Sequence, residues 1–425
     1  MMAPVLLALI VILGAAGTVL YLASYFWGGL LLIAAIVLHV WRVGLLKGSG
    51  AVRELVRRSL RSAAVPVFGI VMAILLGGVV MIFSGYNPFV AYGALFYGGL
   101  ARNWHISVLN AAPLIFTALS VAFAFKAGLF NIGAEGQYYL GAMAAAALSL
   151  YMPIPGFLAI PVIFLAAGLA GAAWNIVPAY LKMKTGAHEV ITTMMLAHVA
   201  RYLSPIFIRA FGGDPSTSTH PYVTTRIPEH TMLLRFRAFL PEANARLHTG
   251  IILAILVALA VYYLLYRTSM GFEIRAVGEN RDAARAQGIS VGRNIFRALL
   301  IAGFLAALAG FNQVNGLDHR LFENLQAGYG WNGISVALLA GGNPVAVIFT
   351  GLLWGTLDAG GQYMSRTTQT PGAIVEIVKG IILFLIVARY IYTAFSNWRK
   401  RRRSRAVNVA TAAADAAGGA VRGEG

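Results

Sequence analysis

The side chains in this chain that could do chemistry are few and stand inside otherwise apolar sequence. Asn131, Glu135 and Gln137 lie in LFNIGAEGQYYLGAMAAA at 129–146, among Gly133, Gly136 and Gly141. Asn312, Gln313 and Asn315 interrupt AGFNQVNG at 309–316, Glu376 and Lys379 are three residues apart near the end of the chain, and Asp358 sits in GLLWGTLDAGGQY at 351–363. A polar or charged group in hydrocarbon costs several kcal/mol unless it faces a bundle interior or a water-filled path. The amides at Asn131, Gln137, Asn312 and Gln313 suit a solute rich in hydroxyl or nucleobase groups, so these four and Glu135 are candidate pathway residues. Three glycines within nine residues permit a broken helix start at 133–141. Glu135 reads equally as a first-turn acid at a cytoplasmic helix start. Glu376 and Lys379 form an i, i+3 pair that neutralises itself on one helix face and reads as structural, and Asp358 reads as interfacial.

Catalytic and metal chemistry find no pattern to rest on. The sequence has no G-x-x-x-x-G-K-[ST] phosphate loop, no H-E-x-x-H and no G-x-S-x-G. His188 is followed by Glu189 without a second histidine at metal-binding distance, and the absence of cysteine removes thiolate and disulfide chemistry. No catalytic residue and no metal site are expected.

A second candidate is the charged stretch GFEIRAVGENRDAARAQGIS at 271–290, set between two long apolar runs. Asn280 is placed as an N-cap, and Asp282 follows in the first turn, where a carboxylate complements the positive end of the helix. Ala283, Ala284 and Ala286 favour the helix and expose little side chain, so another surface can approach closely, and Gly288 is placed to end it. A plain loop containing a helical turn is the alternative reading.

The elements that must position these groups are membrane spans. The 425 residues are 59% hydrophobic and 11% charged, with a mean hydropathy of +0.74, and their apolar length exceeds the needs of a globular core. The 47 glycines suit close helix packing in lipid. The net charge of +18 falls mainly in loops between apolar runs, which marks an inside face rather than a nucleic-acid surface. Apolar runs fall at 64–84, 106–126, 134–151, 157–180, 188–208, 249–266, 295–316, 331–341, 345–362 and 372–394. The expected fold is therefore all-α and polytopic, with about ten core transmembrane helices and one or two more within residues 3–41. Counting from the basic interval 42–61 puts Lys126, Lys182, Lys184, the 267–294 interval and the basic tail inside. The 209–248 interval then lies outside, and TMLLRFRAFLPEA within it reads as an amphipathic interfacial helix. The expected division is 1–61 as an N-terminal extension with a basic loop, 62–395 as the core, and 396–425 as a basic, then disordered tail.

Four stretches together, FNIGAEGQYYLGAMAAA at 130–146, GAHEVITTMMLAHVARYL at 186–203, GFEIRAVGENRDAARAQGIS and GISVALLAGGNPVAVIFTGLLWG at 333–355, resemble the permease subunits of bacterial ABC importers, in the branch for nucleosides and simple sugars. The resemblance covers about 62–395 and leaves the first 60 residues unmatched. It implies a multi-pass subunit of the cytoplasmic membrane that pairs with a like permease subunit. It also implies docking to an ABC ATPase subunit and receipt of solute from an extracytoplasmic substrate-binding lipoprotein. The chain itself would bind no cofactor, and ATP would be used by the partner. In such families a cytoplasmic loop holds the helix that couples to the ATPase. GENRDAARAQGI at 278–289 has that place, so Gly278, Glu279, Asn280, Arg281, Asp282, Ala283, Ala284, Arg285 and Gly288 are the expected coupling residues, and a bulky side chain at Ala284 is expected to block docking. The competing reading is an ion-coupled secondary transporter or channel, which would more often carry charged relays along its spans.

Overall fold

A computed structural model describes residues 69–153, 155–214, 222–238, 246–325 and 328–385, with the isolated positions 50 and 54. The expected N-terminal spans and the basic tail lie outside the described residues. Among the described residues the architecture is helical, with three isolated β-bridges in the loops. The helices are α1 (Gly69–Phe83), α2 (Pro88–Phe96), α3 (Trp104–Lys126), α4 (Ala134–Tyr151), α5 (Gly156–Trp174), α6 (Ile176–Thr185) and α7 (Glu189–Phe211). They continue as α8 (Gly250–Arg267), α9 (Ser269–Glu279), α10 (Arg281–Ala286), α11 (Val291–Phe311), α12 (Tyr329–Leu339), α13 (Pro344–Thr367) and α14, from 373 to 385. Six helical stretches among the described residues have the length and apolarity of a full crossing: α3, α5 with α6, α7, α8, α11 with the π-helical turn after it, and α13.

Helix α3 is the axis of the bundle, buried without a break from Ser107 to Ala124. A helix that is apolar on all sides needs neighbours on all sides, and α8, α11, α12 and α13 supply them. Helices α3 and α13 run antiparallel, with Gly351 against Ile115 and Gly355 against the Ser107 carbonyl, and small residues let their backbones approach. This fixes two ends of the molecule. Lys126, Gly342 and the 278–288 segment lie at one end, and Trp104 and the last turn of α13 lie at the other.

Helix α12 is short, 11 residues or about 16 Å, roughly half of a ~30 Å hydrocarbon layer. Its first turn meets Thr117 and its last turn approaches Lys126, so it fills the half of the bundle nearest the basic end. The irregular entry that the glycines of 133–141 permit falls ahead of most of them: 127–133 is non-helical, and 134–141 is regular helix. From Gly128 the chain turns back beside α3 until Asn131 meets Ser120, and α4 begins there.

The amphipathic helix expected from Thr231 onward does not form over 231–238. That segment instead folds onto the end of the bundle: Leu233 N–H donates to the Asn315 carbonyl at 2.8 Å, and Phe236 N–H donates to the Leu247 carbonyl at 2.9 Å. Leu233 and Phe236 are buried, so their apolar surface goes to protein rather than to the interface. Two arginines of the 209–248 interval are occupied locally. Arg209 lies 4.2 Å over the Tyr222 ring, and Arg235 Nη2 is 2.9 Å from His319 Nε2. Burial, with His319 and Arg235 nearby, pushes the His248 imidazole down to about 3. Burial, then Arg235 and Arg226, pushes His319 down to about 4.

Candidate functional site

The 269–288 segment is two helices joined at one residue. Thr268 caps α9, its hydroxyl accepting from Gly271 N–H at 3.1 Å. Asn280 is extended, at φ −157° and ψ 109°, and its Oδ1 accepts from the N–H groups of Asp282 and Ala283, both at 3.0 Å. Gly288 ends the turn at φ +78°, a conformation that favours glycine. Glu279, Arg281, Asp282, Ala283, Arg285 and Ala286 are exposed, and Arg285 approaches Asp282 at 3.4 Å in an open ion pair. Ala284 is turned the other way, 3% exposed, into the chain's own core. A bulky side chain there would first disturb this chain's packing, so Ala283 is the position that probes an outside surface.

The segment is seated on the turn that leads from α3 to α4. Gly278 lies against Lys126 and Gly128, where a Cβ would collide with the Lys126 carbonyl, and Arg281 Nη2 reaches the Gly128 carbonyl at 3.4 Å. Three residues further on, Asn131 and Gln137 pair their amides at 2.9 and 3.0 Å. Asn131 also donates to Ser120 Oγ at 2.9 Å, and Gln137 to Asn175 Oδ1 at 2.7 Å, while Asn175 donates to the Leu299 carbonyl at 2.7 Å. This closed network satisfies the polar groups of the broken start.

Glu135 sits at the head of α4, 5% exposed, but its carboxylate serves another helix. Its two oxygens accept from Gly328 N–H at 2.8 Å and Gly330 N–H at 2.7 Å, at the start of α12. A buried helix start leaves N–H groups that need acceptors, and a carboxylate there also complements the dipole. Gly330 is required by the close approach, since a Cβ would run into the backbone of Ala134 and Glu135. Asn312 and Gln313 are buried at the far end of α11, where Gln313 donates to Asp318 Oδ2 at 2.9 Å. Asn315 donates to Ser149 Oγ and to the Thr231 carbonyl, both at 2.8 Å.

Two cavities flank α12. One, of about 450 Å³, lies towards the far end between α13, α14 and the start of α12, with Tyr329, Asn332, Asp358, Gln362, Arg366 and Lys379 in its wall. The other, of about 470 Å³, lies at the basic end and is bounded by Phe125, Lys126, Phe130, Glu189, Leu338 and Gly342. None of Asn131, Glu135, Gln137, Asn312 and Gln313 lines either cavity. The far cavity instead displays the charges that the sequence presented as structural or interfacial. Lys379, 3% exposed, is held between Asp358 of α13 and Glu376, the latter at 2.8 Å. The sequence carried one signal for this arrangement, namely opposite charges on two consecutive spans, which seek each other in an apolar medium. Their pairing depends on how α13 and α14 pack.

Residues 104–387 match the family described as branched-chain amino acid transport system / permease component. The guanosine ABC transporter permease protein of Bacillus subtilis is 33% identical over 338 residues, 78% of this chain and 95% of the relative. The glucose ABC transporter permease protein of Haloferax volcanii is 34% identical over 335 residues, 76% and 87% of the two chains. A nucleoside ABC transporter permease protein of Lactococcus lactis is 33% identical over 337 residues, 78% and 92%. No solved structure matches the chain.

Proposed function

The chain belongs to the family of branched-chain amino acid transport permease components, and from that premise we propose that this permease subunit of an ABC importer moves nucleosides or simple sugars. The guanosine, glucose and nucleoside named in the relatives' descriptions support this substrate class. ATP is hydrolysed by a separate ABC ATPase docked at the basic end, a second permease subunit completes the channel, and an extracytoplasmic binding lipoprotein delivers solute. The importer core is 62–395 and crosses ten times, with α1, α4, α14 and a broken crossing made of α12 and the segment leading into it adding to the six full-length stretches. The basic end is then cytoplasmic, with Lys126, Lys182, Lys184 and the 278–288 segment on one side.

The exposed, capped α10 is the observation that carries this reading. Its exposed side carries Arg281, Asp282, Ala283, Arg285 and Ala286, two cations and one acid among small side chains, a low and net positive surface that suits an acidic groove. Coupling needs an element whose position both sites bias. Gly278, packed on Gly128, ties α10 to the turn before Asn131, and Glu135 ties α4 to the short helix between the two cavities.

The test is uptake of labelled guanosine and glucose by the reconstituted complex. Uptake should require ATP and survive collapse of the proton gradient. Ala283→Trp and Arg285→Glu should each reduce it at least tenfold and release the ATPase, while the permease stays inserted. Uptake that follows the proton gradient at constant ATP would overturn the reading in favour of an ion-coupled transporter.

A further inference from the structure

Lys379 is an ammonium at the far half of the bundle with almost no exposure, and two carboxylates hold it there. Asp358 contacts it from α13 and Glu376 lies at 2.8 Å one turn before it on α14. Adding Arg366, the charged groups that line the far cavity are two acids and two bases, so the wall is ionic but neutral as a whole. A charged solute entering such a wall would break an existing pair and leave a partner uncompensated. A neutral solute with many donors and acceptors would not. Gln362 and Ser365 line the same cavity as the charged groups. Tyr329 puts an aromatic side chain in the wall, and the buried Trp354 lies behind it, 5.8 Å from Lys379 Nζ, its Nε1 donating to Asn332 Oδ1 at 3.3 Å. An aromatic side chain beside several polar groups suits a hydroxylated ring compound. The volume of about 450 Å³ is within the range of small-molecule sites.

We propose that this cavity, between α13, α14 and the first turn of α12, is the solute site of the outward half of the permease. It takes an uncharged, hydroxyl-rich ring compound, with Gln362, Ser365 and Asn332 bonding to it and the Asp358–Lys379–Glu376 cluster orienting those groups. The proposal rests on the importer reading above, which supplies both the direction of transport and the solute class. It gives α12 a position between the site and the cavity at the basic end.

The sequence has no cysteine, so single-cysteine reporters are clean. In the full complex in proteoliposomes, Ser365→Cys should react with a membrane-impermeant maleimide, and guanosine or glucose should slow that reaction at least fivefold. Ser84→Cys, on an exposed turn away from the cavity, should react at a rate neither solute changes. Gln362→Ala should raise the KM for uptake at least fivefold with the maximal rate and the amount of inserted complex retained, since it leaves the charge cluster intact. Solute protection of Ser365→Cys together with that KM shift supports the site. ATP-driven uptake by wild type, with no protection at Ser365→Cys and an unchanged KM in Gln362→Ala, overturns the site while leaving the importer reading standing. Uptake by wild type that is independent of ATP sinks the importer reading instead.

Discussion

Glu135 shows why a buried acid in a span need not touch solute. Its oxygens receive Gly328 and Gly330 N–H at 2.8 and 2.7 Å, the second bond buried and the first partly buried. Glu135→Ala should therefore leave one buried and one partly buried donor unpaired and lower the unfolding free energy by about 2 kcal/mol, read as thermal denaturation in detergent. Glu135→Gln keeps one acceptor oxygen and should lose less. If both substitutions were equally mild, the carboxylate would not be holding α12. The residue type and its place at the head of a helix were legible in the sequence. Its acceptor role was not, because its partners are 193 and 195 residues away along the chain.

At the scale of the element, the loop segments 232–238 and 246–250 are held on the bundle by groups that must stay neutral. His248 and His319 have their imidazoles at about 3 and about 4 in the folded protein, against about 6.5 for a free histidine. Their depressed folded values mean that the unfolded loop binds more protons between those limits. The docked state is thus fully stabilised above about pH 6.5 and weakens as the pH falls towards 4. Amide exchange over 232–238 and 246–250 should accelerate between pH 7 and pH 5, after correction for intrinsic rates, while exchange in α3 stays unchanged. Replacing His248 by Asn should flatten that dependence. The same scale explains why an amphipathic pattern did not become a continuous helix over 231–238: its apolar side chains, Leu233 and Phe236, found burial against protein, Leu233 in the loop and Phe236 in a short 3-10 turn.

For the whole molecule, the order of helices divides the bundle into two half-depth cavities with α12 between them. The orientation follows from charge: the end that carries Lys126, Lys182, Lys184 and the α9–α10 segment should face the cytoplasm. A cysteine at Gln287, which is exposed, should resist an impermeant maleimide in intact cells and react in inverted vesicles, with Ser84→Cys showing the opposite pattern. The reverse result at both positions would invert the topology and move the proposed ATPase contact to the wrong side.

The sequence by itself determined the class of this molecule, because apolar length and loop charge are local properties that the bilayer reads directly. It also set the cap at Asn280, the stop at Gly288 and the broken start before α4, since each depends on a few adjacent residues. The tertiary structure decided which polar groups meet. It enclosed Asn131 and Gln137 in their own network, gave the Glu135 carboxylate to α12, turned Ala284 inward, and joined Asp358 to Lys379 across two helices. The physical reason is that a polar group in an apolar interior takes whichever complementary partner the packing brings within reach. Helix rotation and tilt set that reach, and they arise from the sum of small contacts along α3, α13 and α14 rather than from any short stretch of residues.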